Sequence, residues 1–195
     1  ILKIIKRKIK ALTQNNEFNI ESSIKYIDEY TKFEEYYSSG HKNKKVLFVA
    51  TVTNHINAFH IPYLKMFKDQ GYEVHVASNG NEPIEYCDKH FNLQFARSPF
   101  KIQNIKAYKQ LKKIINDNRY KIIHCHTPVG GVLTRLAARK SRKKETRVIY
   151  TAHGFHFFKG APIKNWLIYY PVEKYLSKYT DCLITINKED YELAK

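Results

Sequence analysis

The amino-acid sequence predicts an α/β fold: a doubly wound, mainly parallel, Rossmann-like sheet preceded by a helical N-terminal extension. Three observations carry this expectation. From Lys45 onward, short apolar runs of strand length alternate with longer stretches of helical period. The short runs are apolar throughout rather than alternating, as in strands covered on both faces. Histidine-rich polar segments follow several of the runs, at the sheet edge where folds of this kind bind ligands.

Residues 1–40 stand apart. Ile1, Ile5, Ile9 and Leu12 recur at roughly helical spacing, with Lys3, Lys6, Arg7, Lys8 and Lys10 between them. This predicts a short basic amphipathic helix, suited either to an anionic bilayer surface or to docking on its own domain. Ser38-Ser39-Gly40 marks the expected boundary with a main domain over residues 45–195. Within that domain the first strand is expected at 46–50, followed by a polar loop and then a helix over 62–70, closed by Gly71. Residues 73–77 predict the second strand and 93–96 the third. Ile105, Tyr108, Leu111, Ile114 and Ile115 mark one face of the next helix, with lysines on much of its other side. A fourth strand follows at 121–126. Gly130-Gly131 then opens a helix carrying Val132, Leu133, Leu136 and Ala137. The fifth strand is expected at 147–151. A long helical pattern from Trp166 to Tyr179 contains Pro171, which should kink or split it. A sixth strand at 182–186 leads to a helix after Asn187.

The formal net charge is +16, which suits a polyanionic partner: nucleic acid, anionic lipid or phosphorylated small molecules. It equally suits a chain that covers its exposed faces with lysine. Nucleic acid is disfavoured, because no helix-turn-helix, RNA-recognition or zinc-finger pattern is present. The basic run Arg139-Lys140-Ser141-Arg142-Lys143-Lys144 falls at a helix-to-strand connection, where a solvated loop is expected. Three cysteines without a C-x-x-C pair indicate a reduced, cytoplasmic compartment. The first loop contains no glycine, so the dinucleotide fingerprint is missing, and neither a phosphate-binding G-x-x-x-x-G-K-[ST] nor a G-x-S-x-G elbow occurs.

Of nine histidines, His55, His60, His126, His153 and His156 lie in or beside the segments after the first, fourth and fifth strands. His124 and His126 share a strand face, and imidazole suits zinc. No third and fourth ligand has a recognisable spacing, so no metal is expected. His153 suits acid–base work or a hydrogen bond to a sugar hydroxyl, and the sequence leaves both open. The two glycines suit either an anion at a helix N-terminus or close helix–strand packing.

Four segments together resemble a known family. They are Lys45-Val46-Leu47-Phe48-Val49-Ala50-Thr51 with residues 55–62, Ile122-Ile123-His124-Cys125-His126-Thr127-Pro128, Tyr150-Thr151-Ala152-His153-Gly154-Phe155, and Thr185-Ile186-Asn187. They resemble the N-terminal domain of retaining glycosyltransferases with two Rossmann-like halves (GT-B), of the family-4 type found in bacterial capsular and exopolysaccharide biosynthesis. The combination of H-x-H-x-P with T-x-H-G-F is the specific part. The resemblance implies transfer of a sugar from a nucleotide-diphosphate donor to a lipid-linked saccharide acceptor, with retained anomeric configuration. It implies no cofactor and no essential metal, which the lack of an Asp-x-Asp pair fits. It also implies a separate donor-binding domain, so residues 45–195 alone are expected to be inactive. His153 is then the expected catalytic residue, beside the donor sugar. Thr53, Asn54, His55, His126, Thr127, Gly154, Phe155, His156 and Lys159 are the expected substrate-binding residues. One departure stands out: many relatives carry Gly-Gly in the first loop, where this chain has Thr53-Asn54-His55. The implied location is cytoplasmic, peripheral on the inner face of the cell membrane. The competing reading is a non-catalytic α/β module that binds membranes or another protein.

Overall fold

A computed structural model describes residues 44–142 and 146–195. The expected basic helix and the rest of residues 1–40 lie outside the described residues. The described chain forms six strands: β1 (Lys45–Val52), β2 (Glu73–Asn79), β3 (Lys89–Asn92), β4 (Ile122–His126), β5 (Arg147–Ala152) and β6 (Cys182–Thr185). They build one sheet in the order β3-β2-β1-β4-β5-β6, with every neighbouring pair parallel. Six helices connect or follow them: α1 (Thr53–Phe59), α2 (Ile61–Asp69), α3 (Gln103–Asn118), α4 (Pro128–Ala138), α5 (Ile163–Ser177) and α6 (Lys188–Ala194). This is the predicted doubly wound, Rossmann-like architecture. The order reverses between β1 and β4, which opens a crevice at their carboxyl ends.

The central strand explains the layering. Residues Val46, Leu47, Phe48, Val49 and Ala50 are all fully buried. Strand alternation sends Leu47 and Val49 to one face, where they join Ala107, Leu111 and Ile115 of α3 and Ala137 and Ala138 of α4. Phe48 points the other way and meets Phe67 of α2 edge-on at 5.7 Å. The register pairs Phe48 with His124, and the Phe48 ring lies 5.3 Å from that of His124 and 6.1 Å from that of His126. The aromatic face of β1 thus becomes one wall of the histidine site.

Four sequence expectations change. The polar loop after the first strand is instead the last two residues of β1 followed at once by α1, whose Ile56 is fully buried. Nothing from Thr51 to His60 is Gly or Pro, so no residue there forbids a helix. The third strand is Lys89–Asn92 rather than residues 93–96. Leu93 and Phe95 are apolar because they plug into the core just after the strand, at 4% and 2% exposure. The buried face of α3 is Asn104, Ala107, Leu111 and Ile115, whereas Ile105 is exposed. Asn104 belongs there because its side chain binds the main chain at Ala96 and Ser98. Finally, α5 runs unbroken through Pro171.

Helix α4 carries a buried cation. Arg135 is 1% exposed, forks onto Glu173 of α5 at 2.7 and 3.0 Å, donates from Nε to the Gly131 carbonyl at 3.1 Å, and lies 4.0 Å over the Tyr150 ring. The two glycines of α4 serve close packing. A Cβ on Gly131 would sit 2.5 Å from the Tyr150 ring, and one on Gly130 would sit 2.9 Å from Thr127 Oγ1. Tyr150, 3% exposed, has no room to withdraw. Gly131→Ala is therefore expected to destabilise the domain by about 1–3 kcal/mol, as overpacking does. A urea denaturation midpoint equal to that of the parent would contradict this. At the far end of the sheet, Arg142 of the basic run pairs with Asp181 and caps the Lys178 carbonyl, a structural role. Among the described residues, no helix is long and apolar enough to cross a membrane.

Candidate functional site

Three elements, α1, β4 and β5, deliver four histidines to the crevice. His55 is the third residue of α1, and His60 caps its C-terminus through an N–H donated to the Ile56 carbonyl at 2.8 Å. His126 is the last residue of β4, and His153 follows directly on β5. The ring centroids of His60 and His126 stack at 3.7 Å, those of His55 and His153 lie 4.6 Å apart, and those of His126 and His153 lie 5.8 Å apart. The Nε2 atoms of His55 and His153 share a hydrogen bond of 3.3 Å. His60 and His126 form the floor, 4% and 0% exposed, whereas His55 and His153 form a partly exposed rim. His124 lies beneath, with its Nε2 bound to Thr151 Oγ1 at 2.8 Å.

Burial sets the charge state. It lowers His55 to about 4, helped by nearby His153. It lowers His60 to about 2, with His124, His55 and His153 adding to the effect. His124 falls to about 3, and His126 well below the ordinary range, each by burial first and neighbouring imidazoles second. Burial also lowers His153. Five imidazoles in one place cannot all hold protons in a partly dry site, so the cluster is neutral at pH 7. It is a lone-pair and N–H surface rather than a cationic one.

The structure brings His55, His126 and His153 together, as their strand-end positions suggested. His60 completes the group; it stands among the strand-end histidines of the sequence but outside the expected substrate-binding residues. Thr127 borders the cluster with a left-handed φ of 65°, and its hydroxyl faces inward to the Thr51 hydroxyl at 2.7 Å and accepts from the Thr51 N–H at 3.1 Å. Asn54 is exposed on α1. Thr53 is fully buried, and its hydroxyl binds that of Ser78 at 2.9 Å, so its side chain ties the start of α1 to β2 rather than facing solvent.

The segment after His153 divides. Gly154 is exposed with φ 123°, a conformation that favours glycine. Phe155 packs against the core and stacks on Phe157 at 4.7 Å. His156 points elsewhere, its ring 4.6 Å from that of Tyr169. Lys159 is exposed, its main chain donating to Glu189 at 3.3 Å. A residue that sequence reasoning missed anchors this segment: Asp190, 3% exposed, accepts from the Phe155 N–H at 3.0 Å. Asp190 is in turn fixed by Asn187, whose Oδ1 accepts from the Asp190 N–H at 2.8 Å. The Asn187-x-x-Asp190 spacing at a helix start was the available signal.

The model of the family described as "Glycosyl transferase 4-like" matches residues 45–187. EpsD of Bacillus subtilis (strain 168), which carries a provisional glycosyltransferase name, is 64% identical over 152 residues, covering 78% of this chain and 40% of that protein. A protein encoded in the cps region of Klebsiella pneumoniae is 30% identical over 152 residues, 75% of this chain and 38% of its own length. The Escherichia coli UDP-Gal:alpha-D-GlcNAc-diphosphoundecaprenol alpha-1,3-galactosyltransferase is 26% identical over 135 residues, 67% of this chain and 34% of the enzyme. The chain thus spans about two fifths or less of the curated relatives it matches. Among solved structures, a UDP-N-acetylglucosamine 2-epimerase superposes with a TM-score of 0.57 at 14% identity, over 77% of this chain and 44% of that one. Acinetobacter baumannii MurG gives 0.51 at 13% identity, over 75% and 42%. At such identities these structures establish the fold alone.

Proposed function

The chain belongs to the glycosyl transferase 4-like family, and we propose that it is the acceptor-side half of a sugar-nucleotide-dependent glycosyltransferase of cell-surface polysaccharide biosynthesis. The protein that contains it transfers a sugar from a nucleotide-diphosphate donor to a lipid-linked saccharide, with retention of configuration and without a metal in the transfer step. It works in the cytoplasm, at the inner face of the membrane. The observation that carries this reading is the gathering of His55, His60, His126 and His153 at the switch point of the sheet, with their ligand atoms within 4.8 Å of one another. The E. coli relative, whose name specifies a UDP-sugar donor and a diphosphoundecaprenol acceptor, supports the substrate classes.

The neutral charge state fits the chemistry. Glycosyl transfer builds positive charge on the donor sugar as the diphosphate departs. A cationic histidine cluster would oppose that charge, whereas neutral imidazoles accept and donate hydrogen bonds to sugar hydroxyls without opposing it. His153, on the partly exposed rim, orients the donor sugar with the main chain of residues 152–154. His55, Asn54 and His126 lie to the acceptor side. The diphosphate is neutralised chiefly by the donor-binding domain.

The test is direct. The whole polypeptide, incubated in EDTA with radiolabelled nucleotide sugars and lipid-linked oligosaccharides from the source membranes, should move label into the lipid fraction. Nuclear magnetic resonance of the product should show the donor's anomeric configuration. Label that stays in the nucleotide sugar for every donor and acceptor combination would overturn the proposal.

A further inference from the structure

We propose that the segment before α3 and the exposed side of that helix form a docking surface for an anionic lipid bilayer, with Phe100 and Ile102 as the inserting side chains. Phe100, Ile102 and Ile105 are 85%, 80% and 55% exposed. Single exposed apolar residues are ordinary, whereas three within six positions of the chain form a patch that needs a reason. Burial in this segment is selective, because Leu93 and Phe95 just before it are plugged into the core. The backbone is also held in place. Buried Asn104 accepts from the Ala96 N–H at 2.9 Å and donates to the Ser98 carbonyl at 2.9 Å. Phe100, Ile105 and Tyr108 line an open groove of about 500 Å³ together with Leu133 and Leu136 of α4, and no acidic side chain lines it.

Charge decides the occupant. Residues 89–116 contain seven lysines and arginines and no aspartate or glutamate. Lys101 and Lys106 adjoin the exposed apolar residues in the chain, Lys109 follows Ile105 by one helical turn, and all three are exposed. Asp117, near the far end of α3, is the first acid, and it is already paired with Lys113 at 2.6 Å. Solvated apolar side chains set among lysines suit a surface that offers acyl chains and anionic headgroups together. A second copy of this chain would bring the same positive charge face to face, which opposes docking.

The topology places this surface where a membrane-borne acceptor arrives. β3 is parallel to the rest of the sheet, so the segment leaving it starts at the edge that carries the crevice. From there α3 runs back towards the start of β4. Its large exposed apolar residues lie in and before its first turn, and lysines 106 and 109 come next. At about 1.5 Å per residue, these lysines stand about 6 and 10 Å along the axis from Ile102. With Phe100 and Ile102 at the acyl boundary, both ammonium groups are at headgroup depth. The inference rests on the lipid-linked acceptor of the proposed function and adds the surface that meets its membrane.

The experiment measures partition of the purified whole polypeptide onto vesicles by co-sedimentation. Vesicles of phosphatidylglycerol with phosphatidylethanolamine are expected to bind it, more weakly as salt rises, and vesicles of phosphatidylcholine far less. Phe100→Ser with Ile102→Ser should lower partition onto the anionic vesicles by about tenfold or more. Lys101→Gln with Lys106→Gln and Lys109→Gln should lower it by roughly fivefold per lysine. Lys65→Gln with Lys68→Gln, on α2 at the other face of the sheet, should leave it within about twofold, the loss being confined to lysines that reach the headgroups. Phe100→Trp should add a fluorescence component that shifts to shorter wavelength on the anionic vesicles. Circular dichroism and the melting temperature should match the parent, because the replaced side chains are exposed. No binding by the parent, or parental binding by the folded serine variant, overturns the proposal. So does a serine variant that melts earlier or loses self-association, since a protein surface then covers the patch. The readout uses neither sugar nucleotide nor acceptor, so its failure and the failure of the transferase reading are separately visible.

Discussion

Alanine in place of His153 is expected to lower turnover of the whole polypeptide by on the order of 100-fold or more, the scale of losing one positioned polar group in a transition state. The melting temperature should hardly move. His153 stands on the partly exposed rim, and its side-chain hydrogen bond among the described residues, to His55, is replaceable by water. The main-chain anchor of its segment, Phe155 N–H to Asp190, is independent of the side chain. The loss should fall mainly on kcat, because an interaction that strengthens as charge develops on the sugar contributes little to ground-state binding. His153→Asn separates two roles. Partial recovery indicates that hydrogen bonding suffices, whereas activity as low as that of alanine indicates proton transfer. Unchanged turnover in His153→Ala would remove His153 from the mechanism.

Acid is expected to destabilise the domain well above the pH at which carboxylates titrate. His60 and His124, each 4% exposed, titrate in the folded protein at about 2 and about 3, with burial as the first cause. In the unfolded chain both revert to about 6.5. Between these limits the unfolded state binds more protons, so stability is fully present above about 6.5 and is lost as the pH falls. Each group contributes about 1.4 kcal/mol per pH unit in that window. Two groups from pH 6.5 to 5 therefore remove roughly 4 kcal/mol, against a typical total of about 5–15 kcal/mol. His126, lowered in the same direction, adds to the loss, and the partly exposed His55 adds less. Urea midpoints measured in EDTA at pH 7.5 and pH 5 check this. Equal midpoints would mean that the imidazoles are solvated and the burial assigned to them is wrong.

Much of the fold is legible locally. The run from Val46 to Ala50 reads as a doubly covered strand because a continuous apolar stretch of that length has few other stable placements. The same reasoning locates β2, β4, β5 and β6 to within a residue or two. It fails at Leu93 and Phe95, because burial in a core produces the same apolar signal whether or not the backbone is paired. The edge strand Lys89–Asn92 is half-exposed, so hydropathy hides it. Ile105 misleads for the converse reason: an apolar residue carries no penalty large enough to forbid exposure. Arg135 is set among Val132, Leu133, Leu136 and Ala137, and nothing local marks its place. It is buried because Glu173, on a different helix, supplies its partner.

The sequence by itself determined the parallel sheet, the family, and the concentration of histidines after strand ends, because periodicity, turn chemistry and short motifs are local properties of the chain. Only the tertiary structure decided which histidines meet. Residues 55, 60, 126 and 153 have no fixed spacing in the chain, and they converge because β1, β4 and β5 are neighbours in the sheet and end at the same edge. Their neutral charge state is likewise tertiary: it arises from desolvation by residues distant in sequence, which no local pattern encodes.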